Sequence, residues 1–340
     1  MTATTDSPPA TEQSILLPNF AFECGIILPA LRVHVTTLGR PQQDEAGITR
    51  NAVLILHGTT GSGSAFLREQ FAGVLFGPGQ LLDANRYYLI MPDGIGHGRS
   101  SKPSDELRAA FPEYTYDDMV LAQYRLLTEG LGVNHLRLVM GTSMGGMQSW
   151  VWGYQYPNFV DALLPLASLP VEIGGRNRMI RKMILDAIRR DPHWQEGNYL
   201  EQPPGLTAAI HALLWMTSVP LLWQQEAPTR EAADAKLTQL ITQYRQQLDA
   251  NDMWYAFNAS RNYNPYPHLS AIEAPLVAIN SADDQVNPPE LRLMEEAITH
   301  VPNGRSILIP TSNATRGHGS HSWPVLWQAH LATLLAASQR

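Results

Sequence analysis

The chain has 340 residues, of which 44% are hydrophobic and 16% charged, as in a globular protein with one large domain or a domain carrying an inserted cap. Its net charge of -7, without any basic block, argues against nucleic acid as a partner. The single cysteine, Cys24, excludes an intrachain disulfide, and no window of about 18 apolar residues predicts a membrane span. We therefore expect a cytoplasmic protein that binds neither nucleic acid nor membrane.

The chain opens with a polar segment, residues 1–14, which lacks the basic and apolar parts of a secretory signal and predicts a flexible tail. Short apolar runs then alternate with helical stretches, an order typical of a mostly parallel, doubly wound α/β sheet. The first run, 26–37, predicts an early hairpin strand or pair of strands. The further predicted strands are 52–56, 87–91, 136–140, 162–167, 275–280 and 306–309, with helices over 117–131 and 291–297.

This alternation stops between residues 169 and 269, where strand-like runs disappear. Helical patterns cover 176–190, 206–223 and 230–248, the second interrupted by Pro220. In the first helix one face is predicted to be apolar and the other to carry Arg178, Arg181, Lys182 and Arg189; the apolar positions are Met179, Ile180, Met183, Ile184, Ala187 and Ile188. We predict a helical cap, 169–269, inserted into a core domain formed by 15–168 and 270–340.

The segment Gly141-Thr142-Ser143-Met144-Gly145 follows an apolar run and leads into small, helix-compatible residues. Strand, sharp turn and helix are the context of a nucleophile elbow, in which a serine hydroxyl is held at the top of a sheet. The flanking glycines fit positions where a side chain would clash with the neighbouring strand or helix. This pattern predicts covalent catalysis through Ser143.

A serine hydroxyl needs a histidine to accept its proton and a carboxylate to orient that histidine. Asp284 follows a late predicted strand and starts an Asp-x-Val-x-Pro loop, so we prefer it to Asp283, which is interpreted as a solvated or loop-capping residue. His318, between two glycines after the last predicted strand, is the expected base, and His321 is its competitor. The order serine, aspartate, histidine is that of α/β-hydrolases.

Two backbone amides are predicted to stabilise the oxyanion of a tetrahedral intermediate, those of Met144 and of Thr59 in the loop after residues 52–56. The spacing of His318 and His321 could indicate metal, but no carboxylate or cysteine cluster accompanies it, so neither metal nor cofactor is expected. The glycine-rich loop 93–98 lacks a Lys-Ser/Thr pair and is interpreted as structural, with His97 as a hydrogen-bonding loop residue.

Several motifs together resemble the homoserine O-acetyltransferase branch of the α/β-hydrolase superfamily. They are Ser143 to Gln148 with Trp150, Phe111-Pro112, the stretch 114–123, Asp191-Pro192 with Trp194, Gly197 and Tyr199, Pro204-Gly205-Leu206, Asp249 to Asn251 with Trp254 and Tyr255, and 284–289. The resemblance implies an α/β-hydrolase fold with a helical cap, and a homodimer formed through that cap. Ile210, followed by His211, stands where these acetyltransferases carry an arginine associated with the amino-acid substrate.

Loss of that arginine removes a bidentate partner for a carboxylate acceptor. We place Ile210, His211 and Trp215 at the substrate site. The apolar part of the cap has two interpretations, an acyl pocket or simply buried helices and a dimer contact; its residues are Leu213, Leu214, Trp215, Met216, Leu221, Leu222 and Trp223.

Three hypotheses for function follow. The first is a serine hydrolase that cleaves a carboxylic ester of a small acyl group through an acyl-enzyme on Ser143. The second is an O-acyltransferase that moves an acyl group from acyl-CoA to a hydroxyl acceptor, with the same three catalytic residues. The third, a binding protein on the same scaffold, has no need of all three. The expected partner is thus a small-molecule acyl ester or acyl-CoA.

Overall fold

A computed structural model describes residues 8–338, and one mixed sheet of eight strands forms its centre. The strands are β1 (Thr11–Ala21), β2 (Ile27–Leu38), β3 (Ala52–Leu56), β4 (Tyr88–Pro92), β5 (Leu138–Thr142), β6 (Leu163–Leu166), β7 (Leu276–Ser281) and β8 (Gly304–Ile309). Their order across the sheet is β1-β2-β4-β3-β5-β6-β7-β8. All neighbours from β4 to β8 are parallel, whereas β2 is antiparallel to both β1 and β4. The mostly parallel α/β sheet expected from the sequence is confirmed.

Ten α-helices occur in the described residues, and five of them follow one another between β6 and β7. Outside that group are α1 (Glu69–Leu75), α2 (Tyr116–Arg125), α3 (Met144–Gln155), α9 (Leu293–Ala297) and α10 (Gln328–Ala337). The group, which we call the cap, comprises α4 (Gly175–Arg189), α5 (Pro204–Met216), α6 (Pro220–Glu226), α7 (Arg230–Gln247) and α8 (Ala250–Asn258).

The central strands are buried on both faces because helices cover the sheet from both sides, as in other parallel sheets. Along β3, Leu54 and Leu56 pack into one hydrophobic cluster and Val53 and Ile55 into the other. A period of two along a strand sends alternate side chains to opposite faces, so a wholly apolar run is needed. This requirement explains the short apolar runs in the sequence.

The prediction of a flexible tail over residues 1–14 is wrong for residues 11–14, which belong to a strand. Residues 1–7 lie outside the described residues, but β1 begins at Thr11, which is the register partner of Thr37 on β2. At the edge of the sheet β1 needs backbone pairing rather than buried side chains, so its start is polar and resembles a tail in sequence. The run predicted as an early hairpin strand or pair is the single strand β2, and its hairpin partner is β1.

Helix α4 is amphipathic, but its buried face is narrower than predicted. Ile180, Ile184 and Ile188 are buried, whereas Met179 and Met183 are 62% and 56% exposed. Arg181, predicted on the polar side, is 3% exposed. Positions three and four apart share a helix face, so Arg181 lies on the same side as Ile184 and Ile188.

In the described part of the chain, no single helix is long and apolar enough to cross a membrane. Helices α5 and α6 reach the required length and composition only as a pair, and a bend of 107° separates them. The bend lies where Pro220 begins α6, as expected because proline suits the first turn of a helix and not its interior.

Close packing of α3 against β3 makes Gly145 sensitive to any side chain. A Cβ at Gly145 would lie 2.1 Å from the Leu56 carbonyl oxygen, so the substitution Gly145→Ala must displace α3. We expect it to lower the free energy of unfolding by roughly 3 kcal/mol or more, measured by urea denaturation. Gly174→Ala is the control, because nothing lies within 4 Å of its added Cβ; equal destabilisation by both would contradict the packing argument.

Candidate active site

The site is built around Ser143, which occupies the sharp turn between β5 and α3. Its backbone has φ 54° and ψ -111°, a conformation that side-chain-bearing residues rarely adopt. A hydrogen bond to the neighbouring strand β6 fixes the turn, since the Ser143 amide donates to the Leu166 carbonyl oxygen at 2.9 Å. A Cβ at Gly141 would lie 2.1 Å from the Gly145 carbonyl oxygen, so only glycine fits there. The backbone thus presents the serine hydroxyl beyond the carboxyl end of the sheet.

Three of the predicted residues form one chain of hydrogen bonds. The Ser143 hydroxyl lies 2.8 Å from His318 Nε2, and His318 Nδ1 lies 2.8 Å from Asp284 Oδ2. The three side chains come from the ends of β5, β7 and β8, which meet at one edge because the strands are parallel. With Nδ1 donating to the carboxylate, Nε2 is free to accept the serine proton.

Asp284 is completely buried and is kept ionised by its neighbours. Burial opposes its charged form, but His318 and the backbone amides of Val286 and Asn287 outweigh burial and hold the pKa of Asp284 below its ordinary value. The Val286 amide donates to Asp284 Oδ1 at 2.7 Å. A buried carboxylate with these partners remains charged at neutral pH and fixes the orientation of the His318 ring.

The competing aspartate, Asp283, has a different set of partners. Its Oδ2 accepts from the Thr315 hydroxyl at 2.8 Å and from the Gly317 amide at 3.0 Å, and it makes no hydrogen bond to His318. Asp283 therefore ties the end of β7 to the loop that carries His318. It is a loop-holding residue, in agreement with one of the two interpretations from sequence.

The competing histidine, His321, lies beside His318 but outside the hydrogen-bond chain. The two ring centroids are 5.4 Å apart at 87°. Burial, with a smaller contribution from His318, lowers the pKa of His321 to about 3, so its ring is neutral at physiological pH. A neutral ring does not add a positive charge next to His318.

The two backbone amides predicted as oxyanion donors, those of Thr59 and Met144, belong to segments next to Ser143. Met144 is the first residue of α3, and the first amides of a helix have no partner within it. The Thr59 amide donates to no acceptor among the described residues, and Gly58 packs against Ser143, with 3.5 Å from an ideal Cβ on the glycine to the serine Cβ. The helix dipole of α3 further favours negative charge at this point.

The loop that carries Thr59 is anchored by two buried histidines. His57 Nδ1 lies 2.8 Å from the Gly58 carbonyl oxygen, while its Nε2 accepts from the Gly94 amide at 2.9 Å. His97 Nε2 contacts the Thr59 carbonyl oxygen at 2.8 Å. The loop 93–98 thus has a structural role: it holds the peptide that follows β3.

A cavity of about 550 Å³ lies between the sheet and the cap and contains Ser143 and His318 on its wall. Its apolar lining comes from the cap, chiefly α5 and α6, including Leu213, Leu214, Met216, Leu222 and Trp223. Leu213, Leu214 and Met216 both line the cavity and belong to the hydrophobic core, so a pocket wall and a buried helix face are not alternatives at these positions.

The three residues predicted at the substrate site do not line this cavity. Ile210 is fully buried in the core, and Trp215 is 67% exposed at the surface. His211 is likewise exposed. The prediction for these positions is wrong because successive residues of a helix point in different directions, and the cavity wall takes only the face of α5 that bears Leu213 and Leu214.

Sequence reasoning missed Arg181, whose side chain reaches this cavity. Its charge suggested a solvated helix face. The available signal was its spacing of three and seven residues from Ile184 and Ile188, which places an arginine on an apolar helix face. Among the described residues, no group of three or more His, Cys, Asp or Glu side chains could hold a metal ion.

The family model for the alpha/beta hydrolase fold matches residues 51–313. The chain belongs to the α/β-hydrolase fold family. Within this family it resembles the homoserine O-acetyltransferase branch. A probable acyltransferase from Methanothermobacter thermautotrophicus is 28% identical over 276 residues, which are 81% of this chain and 83% of that protein. A homoserine O-acetyltransferase from Moorella thermoacetica is 35% identical over 196 residues, 52% of this chain and about half of that protein's length (50%).

Solved structures of similar proteins agree on the fold of this α/β hydrolase. A homoserine O-acetyltransferase from Bacillus anthracis superposes with a TM-score of 0.83 at 21% identity, covering 96% of this chain and 97% of the other. The acetyl esterase MekB gives a TM-score of 0.82 at 23% identity, covering 96% and 97%. The α/β hydrolase described here is an enzyme, and its relatives support acyl transfer or ester hydrolysis as its chemistry.

The buried histidine His57 predicts acid sensitivity of this fold. Burial and the neighbouring His97 lower the pKa of His57 from 6.5 to about 4, so below pH 6.5 the unfolded chain takes up a proton that the folded chain does not. The stabilisation is complete above pH 6.5 and is lost as the pH falls towards 4. For each unit by which the pH falls within that interval, we expect protonation of His57 in the unfolded chain to lower the free energy of unfolding by about 1 kcal/mol.

The measurement is urea denaturation of the wild type and His57→Gln between pH 7 and 4.5. His57→Gln should be less stable at pH 7 and show a flatter pH dependence. His211→Gln, which changes an exposed histidine, is the matched control and should keep the wild-type slope. Identical slopes for wild type and His57→Gln would contradict the assignment.

Proposed function

We propose that this enzyme is a serine esterase that cleaves a carboxylic ester of a small acyl group through an acyl-enzyme on Ser143. The observation that carries the proposal is the hydrogen-bond chain from Ser143 through His318 to Asp284, with its serine end in the cavity under the cap. This arrangement activates a hydroxyl nucleophile at neutral pH without any bound metal. A cavity of about 550 Å³ suits a small-molecule ester.

In the first half of the reaction, the Ser143 hydroxyl oxygen attacks the ester carbonyl carbon while His318 Nε2 takes the serine proton. The tetrahedral intermediate collapses, the ester C–O bond breaks, and the leaving alcohol takes the proton from Nε2. In the second half, water attacks the acyl-enzyme, gives a proton to Nε2, and the collapse returns that proton to the serine oxygen. Asp284 holds the His318 ring in the required tautomer throughout.

The negative oxygen of both tetrahedral intermediates is assigned to the amides of Thr59 and Met144. Support comes from the free first turn of α3 and from the loop held beside Ser143 by His57 and His97. Fixed backbone donors of this kind contribute roughly 10²–10³ in rate for one donor, because they need no reorientation as the charge develops.

Transfer of an acyl group to an alcohol is the second candidate, because the relatives in sequence include acyltransferases. The same three side chains would serve it, with acyl-CoA as donor and a hydroxyl compound in place of water. Ile210 is buried, apolar and outside the cavity, so position 210 offers no bond to an amino-acid acceptor, and hydrolysis stays the first candidate.

The roles of the two neighbouring histidines can be separated by substitution. Ser143→Ala and His318→Gln are expected to lower kcat for p-nitrophenyl acetate about 10⁴-fold, because each removes a group that the transition state needs. His321→Gln is the matched control: it removes a neutral ring that takes no part in the hydrogen bonds of Ser143, His318 and Asp284, and it should lower kcat less than about tenfold. An equal loss in His318→Gln and His321→Gln would contradict the assignment of the base.

Hydrolysis and transfer differ in which acceptor removes the acyl group from the enzyme. We expect p-nitrophenyl acetate turnover at a rate independent of added L-homoserine or L-serine, and acetyl-CoA cleavage that neither acceptor accelerates. Free CoA and O-acetyl product are measured in parallel, with Ser143→Ala as the blank. Acceptor-dependent release of CoA, with formation of an O-acyl product, would make the enzyme a transferase.

A further inference from the structure

The cavity at Ser143 is cationic, although the protein as a whole carries a net charge of -7. Four permanently charged side chains line it, Arg68, Arg181, Lys236 and Arg316, and its lining residues among those described include no Asp or Glu. A wall whose lining residues carry charges of one sign raises the local concentration of oppositely charged ligands. The cavity therefore favours an anionic substrate.

Three of these four cations have ordinary explanations. Arg68 is exposed to solvent. Lys236 pairs with Glu226 at the cap surface. Arg316 donates to the backbone carbonyl oxygens of Asn313 and Thr315 at 3.1 Å, which holds its own loop.

Arg181 differs from them because it is buried and has only neutral partners. Its Nε donates to Asn177 Oδ1 at 2.8 Å, its Nη1 donates to the Ser260 hydroxyl at 3.1 Å, and its guanidinium lies over the Phe257 ring at 5.5 Å. No carboxylate of the described residues forms an ion pair with it. A guanidinium taken out of water without an acid is costly, so a partner from outside the chain would be strongly favoured.

The guanidinium also retains unused donors. Each terminal nitrogen of arginine carries two N–H groups; Nη1 uses one of its pair, and Nη2 donates to none of the described residues. The Tyr116 hydroxyl is buried beside the guanidinium, and because a hydroxyl is neutral it leaves the positive charge of Arg181 without a counter-charge. A planar group with two acceptor oxygens matches such a donor set better than a single oxygen does.

We propose that the natural substrate carries a free carboxylate in addition to the reacting ester, and that Arg181 binds this carboxylate in the cavity that contains Ser143. The inference rests on the proposed function and deepens it. It assigns to α4 a carboxylate-binding role that position 210 on α5, with its buried isoleucine, cannot perform. Arg181 is a specificity-determining residue that contacts the part of the substrate remote from the reacting carbonyl.

The test compares esters that differ only in a carboxylate, in two arms. In the acyl arm, p-nitrophenyl hydrogen glutarate is compared with p-nitrophenyl valerate. In the alcohol arm, 4-acetoxybenzoate is compared with its methyl ester. We expect the anionic member to be preferred in kcat/KM by about 30-fold in one arm, which identifies the side of the substrate that carries the carboxylate.

Substitution of the arginine should remove this preference. Arg181→Gln is expected to reduce the ratio of anionic to neutral kcat/KM about 30-fold, and Arg181→Lys, which keeps the charge but loses the planar fork, about fivefold to tenfold. Arg68→Gln changes an exposed arginine of the same cavity and serves as the matched control for general electrostatic attraction. Circular dichroism of each variant checks that the fold is retained.

The outcomes separate the two proposals. Neutral esters turned over as fast as anionic ones in both arms, or an equal loss for both in Arg181→Gln, would overturn the inference and leave the esterase function intact. Absence of turnover for every ester would overturn the function. Calorimetric binding of 4-acetoxybenzoate and glutarate to Ser143→Ala, with and without Arg181→Gln, then decides the inference alone: an affinity about 30-fold weaker without the arginine supports it, and equal affinity refutes it.

Discussion

The site depends on the strained backbone at Ser143. The residue holds a positive φ because β5 must turn directly into α3, and the helix must pack close to β3 for the turn to be this sharp. Glycine at 141 and 145 permits that approach, and the amide at the start of α3 is left free as a consequence. The same constraint thus places the hydroxyl and one predicted oxyanion donor next to each other.

Near Ser143, two neighbouring aspartates and two neighbouring histidines occupy different environments. Asp284 is buried, receives backbone amides and faces His318, whereas Asp283 receives the hydroxyl and amide of the adjoining loop. His318 lies between the serine and the carboxylate, whereas His321 is next to it and neutral. Position in the fold, and not residue type, therefore decides which aspartate and which histidine join the hydrogen bonds to Ser143 and which ones only support the surrounding loops.

The balance between hydrolysis and acyl transfer is decided by what can reach the acyl-enzyme. Both reactions use one nucleophile, one base and one oxyanion site, so relatives with this fold include acyltransferases and esterases. The cap helices line the cavity that contains Ser143, and one of them, α4, contributes the buried Arg181 to that lining. On the same helix, Asn177 Nδ2 donates to the Val286 carbonyl oxygen of the acid loop at 3.4 Å. Changes at the cavity-lining positions of α4 and α5 can therefore alter specificity.

Local pattern alone determined the alternating strands and helices, the insertion of helices between β6 and β7, and the candidate residues Ser143, Asp284 and His318. Apolar runs, flanking glycines and chain order are local signals, and parallel strands bring their carboxyl ends together by topology. Tertiary structure decided the rest. The strand at Thr11 depends on pairing with β2, the cavity wall depends on how α5 is rotated, and the burial of Arg181 depends on what covers α4. Each of these is set by partners distant in sequence, so no local pattern contains it.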